Sequence, residues 1–285
     1  MIDVSRDLLG AHVPTNGGVS SAFETACDIG CTVFQVFTRN PNQWRSKPLD
    51  EADIERFRTL TKESGILPVM AHDAYLINLA THKKDMLHLS LMAFQDELER
   101  AEILGIPYVV THMGAHLGEG EDEGLSRLIE SIDSVCRKTQ GFRVKILLET
   151  TAGQGTYLGY RFEHLARVLE GVKDQGRVGI CFDTCHVFAA GYDLRTREAY
   201  EATMEAFQKM VGFEHLYAFH VNDSQKGLAS RADRHAHLGK GFLGLEPFRW
   251  LVNDSRFRHL PKIIETPQME THSKKNLDCL KSLLL

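Results

Sequence analysis

Nine side chains in this sequence are of types that bind divalent metal and recur in a pattern that could bring them together: His72, His112, Glu149, Asp183, His186, His220, Asp233, His235 and Glu265. His186 follows Asp183 by three residues in Asp183-Thr184-Cys185-His186, and Asp233 and His235 flank Arg234. In an extended segment residues two apart face the same side, so Asp233 and His235 can chelate one ion. A mixture of imidazole and carboxylate suits zinc best, accepts manganese or iron, and disfavours an all-oxygen magnesium site. One zinc takes about four ligands, so this set implies about two or three ions.

Taken singly, each residue has an ordinary alternative. A strand-end His or Asp more often caps a helix or fills a buried hydrogen bond than binds metal, and an Asp-Arg-His tripeptide is a common solvated loop. The collective argument is stronger, because carboxylates crowded at one place repel unless protonated or neutralised by cations.

The elements that must position these groups are short apolar runs alternating with longer amphipathic stretches. Strands are expected at 8–13, 33–37, 68–72, 108–112, 144–149, 178–183, 216–221 and 262–265. His12, His72, His112, Glu149, Asp183, His220 and Glu265 stand at the C-terminal ends of seven of them. Two residues earlier come Met70, Val110, Leu147, Cys181, Ala218 and Ile263, all able to fill a barrel interior. Helices are expected at 50–64, 84–104, 124–139, 162–171, 196–211 and 245–253, with Gly65, Gly105 and Gly212 as C-terminal caps. Eight strand and helix repeats in one chain predict an α/β fold, a (β/α)8 TIM barrel, with a doubly wound open sheet as the competing arrangement. No linker divides the sequence, so residues 1–285 are expected to form a single catalytic domain. Active sites of TIM barrels sit at the C-terminal ends of the strands, where the polar groups converge.

The apolar share of 43% and charged share of 25% are those of an ordinary soluble globular protein. Met1 to Asp7 is acidic rather than basic and has no apolar run behind it, and no run approaches the roughly 18 residues of a membrane span. A cytoplasmic protein without a membrane partner is expected. The cysteines form Cys27/Cys31 and Cys181/Cys185 pairs at Cys-x3-Cys spacing, which read as buried reduced thiols, with a thiolate zinc site as the alternative.

A net charge of −5 argues against a nucleic-acid partner. Metal answers the objection: three divalent ions against Glu149, Asp183, Asp233 and Glu265 leave a formal charge of about +2. Residues 225–240 add Lys226, Arg231, Arg234 and Lys240, with Asp233 the only acid among them.

Together the motifs resemble the endonuclease IV family of zinc-dependent abasic-site endonucleases over nearly the whole chain. The resemblance rests on Gly10-Ala11-His12-Val13 with Gly17-Gly18, and on His72-Asp73-Ala74-Tyr75-Leu76-Ile77-Asn78-Leu79. It continues in Glu149-Thr150-Thr151-Ala152-Gly153-Gln154-Gly155 and from Asp183-Thr184-Cys185-His186 to Gly191-Tyr192-Asp193. His220-Val221-Asn222-Asp223, Asp233-Arg234-His235, Gly239-Lys240-Gly241 and Glu265-Thr266 complete it.

The resemblance implies a first zinc on His72 and His112 and a second on Asp183, His220 and Glu265, with Glu149 bridging them. A third would take His186, Asp233 and His235. It implies hydrolysis of the phosphodiester 5′ to an abasic site in duplex DNA during base excision repair, leaving a 3′-hydroxyl, with removal of 3′-blocking groups. Glu149 is the expected catalytic residue, either as a bridge alone or as a bridge that also orients the water. Tyr75 and Leu76 match the family's intercalating residues, and the segment holding Arg39, Asn42 and Gln43 matches its first DNA-contacting loop. Arg234 belongs to the basic loop expected to hold the DNA backbone. Asn42 stands where relatives can carry an arginine, which leaves Arg39 to supply charge nearby. A monomer is expected. The rival readings are a single-metal sugar isomerase or epimerase on the same barrel, using Glu149, Asp183, His220 and Glu265, and a noncatalytic lesion binder or zinc reservoir.

Overall fold

Side chains alternate across a strand, so a parallel strand covered on both faces must be apolar on both. The strands that meet this demand are β1 (Leu9–His12), β2 (Val33–Phe37), β3 (Leu67–His72), β4 (Tyr108–His112), β5 (Lys145–Glu149), β6 (Val178–Asp183) and β7 (Leu216–His220). The short β8 (Asp223–Ser224) and β9 (His235–Ala236) form a hairpin beyond β7, and β10 (Lys262–Ile264) completes the parallel set. The computed structural model describes residues 7–285, and the part of the N-terminal reading that falls on Met1 to Arg6 lies outside them. The eight parallel strands close into a barrel in the order β1-β10-β7-β6-β5-β4-β3-β2. The open-sheet alternative is thereby excluded.

One face of each strand points inward, and Leu8, Val33, Val69, Met70, Val110, Leu147, Cys181, Ala218 and Ile263 fill the barrel as a separate apolar cluster. The other face, including Phe34, Val36, Val109, Ile146, Leu148, Ile180, Phe182 and Phe219, packs under the helices. Gly10 is required where β1 meets β2, because a Cβ there would lie 1.6 Å from the Val33 carbonyl oxygen.

The ring of helices runs α1 (Ala22–Ile29), α2 (Glu51–Glu63), α3 (Lys84–Leu104), α4 (Glu121–Lys138), α5 (Phe162–Gly171), the short α6 (Thr184–Ala190), α7 (Arg197–Met210), α8 (Glu246–Asn253) and α9 (Met269–Lys281). Gly105 caps α3 in the left-handed conformation, and Gly65 and Gly212 also have positive φ just past their helices. Helices α1, α6 and α9 are additions to the expected set; α9 buries Leu277 and Leu280 and packs on β1, closing the ring. The hairpin pairs Ser224 with His235. All six cysteines are free, and Cys27 is exposed rather than buried. Among the described residues no helix is long and apolar enough to cross a membrane.

Candidate metal centre

One step beyond the apolar layer, the inward face of every barrel strand turns polar. Val33, Met70, Val110, Leu147, Cys181, Ala218 and Ile263 are followed two residues later by Gln35, His72, His112, Glu149, Asp183, His220 and Glu265, and β1 adds His12. The layer sits at the C-terminal mouth. A cleft of about 360 Å³ opens above it, lined by His72, His112, His186, Asp233, His235 and Glu265 among others.

The nine expected metal-binding groups converge there. His72 Nε2 and His112 Nε2 each lie 3.1 Å from Glu149 Oε2. His220 Nδ1 lies 2.8 Å from Glu149 Oε1 and 3.2 Å from Glu265 Oε2, and Asp183 joins this group. His186 Nε2 is 3.1 Å from Asp233 Oδ1, His235 Nε2 is 3.5 Å from the same oxygen, and the two imidazole nitrogens are 3.4 Å apart. Ligand atoms around a tetrahedral ion with zinc-like bond lengths are separated by about 3.3 Å, and these spacings lie within about half an ångström of that. Asp183 also groups with His186 and His235, so it stands between the second and third sets. No cysteine joins any of these groups among the described residues.

Local chain geometry aims each donor. Asp183 caps α6, its Oδ1 accepting the His186 amide at 2.8 Å, which fixes His186 one turn ahead while Oδ2 lies 3.7 Å from His235 Nε2. The helix-cap role and the ligand position are therefore compatible in one carboxylate. Four imidazoles also use their second nitrogen on an oxygen that is not one of the nine expected ligands' side-chain donors. His72 Nδ1 meets the Asp73 carbonyl at 3.0 Å, His186 Nδ1 the Thr150 carbonyl at 2.8 Å and His235 Nδ1 the Glu265 carbonyl at 3.0 Å. His220 Nε2 meets Gln35 Oε1 at 2.8 Å. Such outer partners set the tautomer and leave the facing nitrogen free for metal.

The electrostatics match. Burial opposes ionisation of Glu149, but the neighbouring His220 and His112 hold its carboxyl well below the usual range. Burial likewise opposes charge on His72, yet hydrogen bonding and attraction from Glu149 push it up to about 9. Both shifts call for positive charge facing Glu149, which a divalent ion supplies. The mouth is a metal-binding site.

Gln35 and Asn222 belong to the site although the sequence reading does not single them out. Gln35 donates to Glu265 Oε1 at 2.6 Å and to His12 Nδ1 at 2.9 Å, and burial pushes His12 down to about 4, making it a neutral acceptor. Asn222 donates to Asp183 Oδ2 at 2.7 Å and accepts the Glu265 amide at 2.7 Å. A signal exists in both cases: a polar residue at an inward position of an apolar strand, and an Asn two residues past His220.

The residues expected to meet DNA divide. Tyr75 projects from the loop after β3, 64% exposed, with its ring 5.4 Å from Phe37. Leu76 is half-buried beside it, and Asn42, Gln43 and Arg234 are exposed. Arg39 departs from expectation. Its guanidinium is buried, donating to Asp96 Oδ2 at 2.9 Å and to the Gln43 carbonyl at 2.6 Å. It braces the loop from within and has no free face for a phosphate.

A family profile described as a xylose isomerase-like TIM barrel matches residues 23–283. A probable endonuclease 4 from Chloroflexus aggregans is 50% identical over 277 residues, covering 96% of this chain and 97% of its own. A second, from Geobacter sp. (strain M21), is 47% identical over 280 residues, covering 98% and 99%. The crystal structure of endonuclease IV from Thermus thermophilus superposes with a TM-score of 0.87 at 35% identity, covering 96% of this chain and 98% of that one.

Proposed function

Because the chain belongs to the endonuclease IV family, we propose that it hydrolyses the phosphodiester 5′ to abasic sites in duplex DNA, leaving 3′-hydroxyl ends. The same chemistry serves for removing 3′-blocking groups. The mouth holds three zinc ions in this reading, with manganese or iron able to substitute, and the enzyme works as a cytoplasmic monomer of one catalytic domain. The observation that carries it is the third donor set, His186, Asp233 and His235 at 3.1 to 3.5 Å. A sugar isomerase using one metal on this barrel has no use for it.

His72 and His112 would hold one ion, Asp183, His220 and Glu265 a second, and His186, Asp233 and His235 a third, with Glu149 shared by the first two. Bound divalent cations supply Lewis acidity and positive charge toward the phosphodiester. The protein's own contributions follow from its geometry. Glu149 turns one carboxylate oxygen to each of two sets, from where it would bridge their ions, orient an attacking water, or both. The outer hydrogen bonds hold the imidazoles in one tautomer. Tyr75, standing clear of the surface, fills the gap an abasic nucleotide leaves when it swings out of the stack, a movement that costs little without a base.

The test is incubation with an end-labelled duplex carrying one tetrahydrofuran abasic analogue. A single cut 5′ to the lesion, a product that a polymerase extends, loss of activity on chelation and recovery with zinc or manganese are expected. An intact duplex after incubation with the metal-loaded protein, or a single ion per chain in an active preparation, overturns the reading.

A further inference from the structure

Arg231 contacts two of the chain segments that carry metal-binding residues and itself lies on a third, that of Asp233 and His235, although it stands outside the mouth. Its guanidinium lies 3.4 Å over the Tyr160 ring and its Nε donates to the Gly153 carbonyl at 3.2 Å, both in the segment that follows Glu149. Its backbone amide donates to the Ala189 carbonyl at 2.9 Å, in the last turn of α6, the helix that Asp183 caps and on which His186 sits. Two residues further on comes Asp233, and then His235.

The local backbone is unusual. Ala229 and Arg231 have φ of 59° and 54°, a left-handed conformation that side chains other than glycine adopt rarely. Those two turns direct the Ala229 amide to Phe188 O at 3.2 Å, a carbonyl that the Gly191 amide also reaches at 3.1 Å, and the Arg231 amide to Ala189 O, in the last turn of α6, where carbonyls lack a full set of partners within the helix. The receiving side is equally fixed. Tyr160 donates its hydroxyl to Glu121 Oε1 at 2.5 Å, and Gly153 has no Cβ where one would lie 2.6 Å from the Tyr160 ring. A backbone that departs from its preferred conformation persists only where its surroundings over-determine it. Here the surroundings are the two segments that must be kept in register with Asp233.

We infer that Arg231 is a positioning residue for the third donor set: its stacking on Tyr160 and its hydrogen bonds to Gly153 and Ala189 hold Asp233 and His235 against His186. This rests on the reading of the mouth as a three-metal centre. It separates Arg231 from its neighbours Lys226, Arg234 and Lys240, which stand at the surface and are free to meet a DNA backbone.

The experiment is metal retention by the full chain, measured by elemental analysis after dialysis against a graded zinc buffer, for the parent, Arg231→Ala, Arg231→Lys and Tyr160→Leu. The parent is expected to keep three ions. Arg231→Ala should release one of them at zinc activities at least about tenfold higher than the parent does, a scale set by the usual effect of removing a ligand's outer support. On abasic duplex its kcat should fall about tenfold or more, with KM changed less than about threefold. Arg231→Lys should fall between, because an ammonium keeps the charge but not the planar stack. If Arg231→Ala fails to fold, Tyr160→Leu, which removes the ring and leaves the backbone contacts, carries the same expectation. An Arg231→Ala protein that keeps all three ions as tightly as the parent, with unchanged kcat, a raised KM and a shallower salt dependence, overturns the assignment and makes Arg231 a phosphate contact. A parent that never holds a third ion defeats the three-metal reading and this inference together, and is distinguished by being seen before any substitution is made.

Discussion

Gln35 Oε1 accepts the Nε2 proton of His220 at 2.8 Å, while His220 Nδ1 faces Glu149 and Glu265. Because the Gln35 amide nitrogen is engaged by His12 and Glu265, its orientation is determined and so is the His220 tautomer. Replacing Gln35 by Leu removes the acceptor and the donor to Glu265 without touching a ligand. Metal affinity of the second set should fall about 10- to 100-fold, the scale of outer-partner substitutions. Competition with a chromophoric chelator measures this; an unchanged affinity would show that the ligands hold their orientation unaided.

Glu149 is fully buried and sits within 3.1 Å of donor nitrogens from two sets. Glu149→Ala takes away the shared carboxylate and one negative charge, so it should be the most damaging single change at the mouth. A loss of about two orders of magnitude or more in kcat is expected, together with weaker metal retention. Near-normal turnover by the purified variant would remove Glu149 from its assigned role.

At the opposite end of the barrel Lys262 is 2% exposed, with Nζ donating to the carbonyls of Phe257 and Leu260 at 2.7 and 2.9 Å. Burial pushes it down to about 8 from 10.5, against partial support from Asp7 and Asp254. Below pH 8 both folded and unfolded chains carry the proton, and the folded state bears the cost of the buried charge. Between about pH 8 and 10.5 only the unfolded chain keeps it, so the unfolded state binds more protons and stability rises with pH. The difference in unfolding free energy between the parent and Lys262→Met should therefore shift in the parent's favour by about 2 to 3 kcal/mol across that window. Denaturant titrations at several pH values, with the metal held saturating, check it; parallel pH profiles would place the Lys262 titration outside the window.

Much of this architecture is legible in the sequence because barrel strands obey a strict alternation. Once Leu147 is taken as inward, Glu149 must be inward too, and the same step leads from Cys181 to Asp183 and from Ala218 to His220. Gln35 obeys the rule after Val33 and escapes notice only because an amide does not announce metal chemistry as His or Glu does. The β8/β9 hairpin is invisible because each arm is two residues long and its partner lies across a loop. Arg39 shows the limit of composition: a charge in a loop beside the mouth reads as a phosphate contact until Asp96, far along the chain on α3, is seen to neutralise it. Helix α9 has polar and charged residues on most positions, and its few apolar contacts give too weak a period to be read.

Tyr75 separates recognition from chemistry. It follows His72 by three residues, yet its ring stands 64% exposed above the cleft rather than among the donor atoms. Its aromatic neighbour is Phe37, edge-on at 5.4 Å, which steadies the base of the side chain and leaves the outer face open. Stacking on a base or filling its gap is worth roughly 1 to 3 kcal/mol per aromatic contact. Tyr75→Ala should therefore weaken binding to abasic duplex about tenfold at fixed salt. Metal content should not change, because no donor set includes Tyr75. Tyr75→Phe should retain most of the affinity, since the ring and not the hydroxyl supplies the contact. Fluorescence anisotropy with abasic and intact duplexes, measured with an inert metal to prevent cleavage, reads the affinity, and elemental analysis reads the metal. If Tyr75→Ala binds the two duplexes as the parent does, the residue serves packing alone; with Arg39 committed to Asp96, exposed Asn42 is then the next candidate for the group that enters the gap.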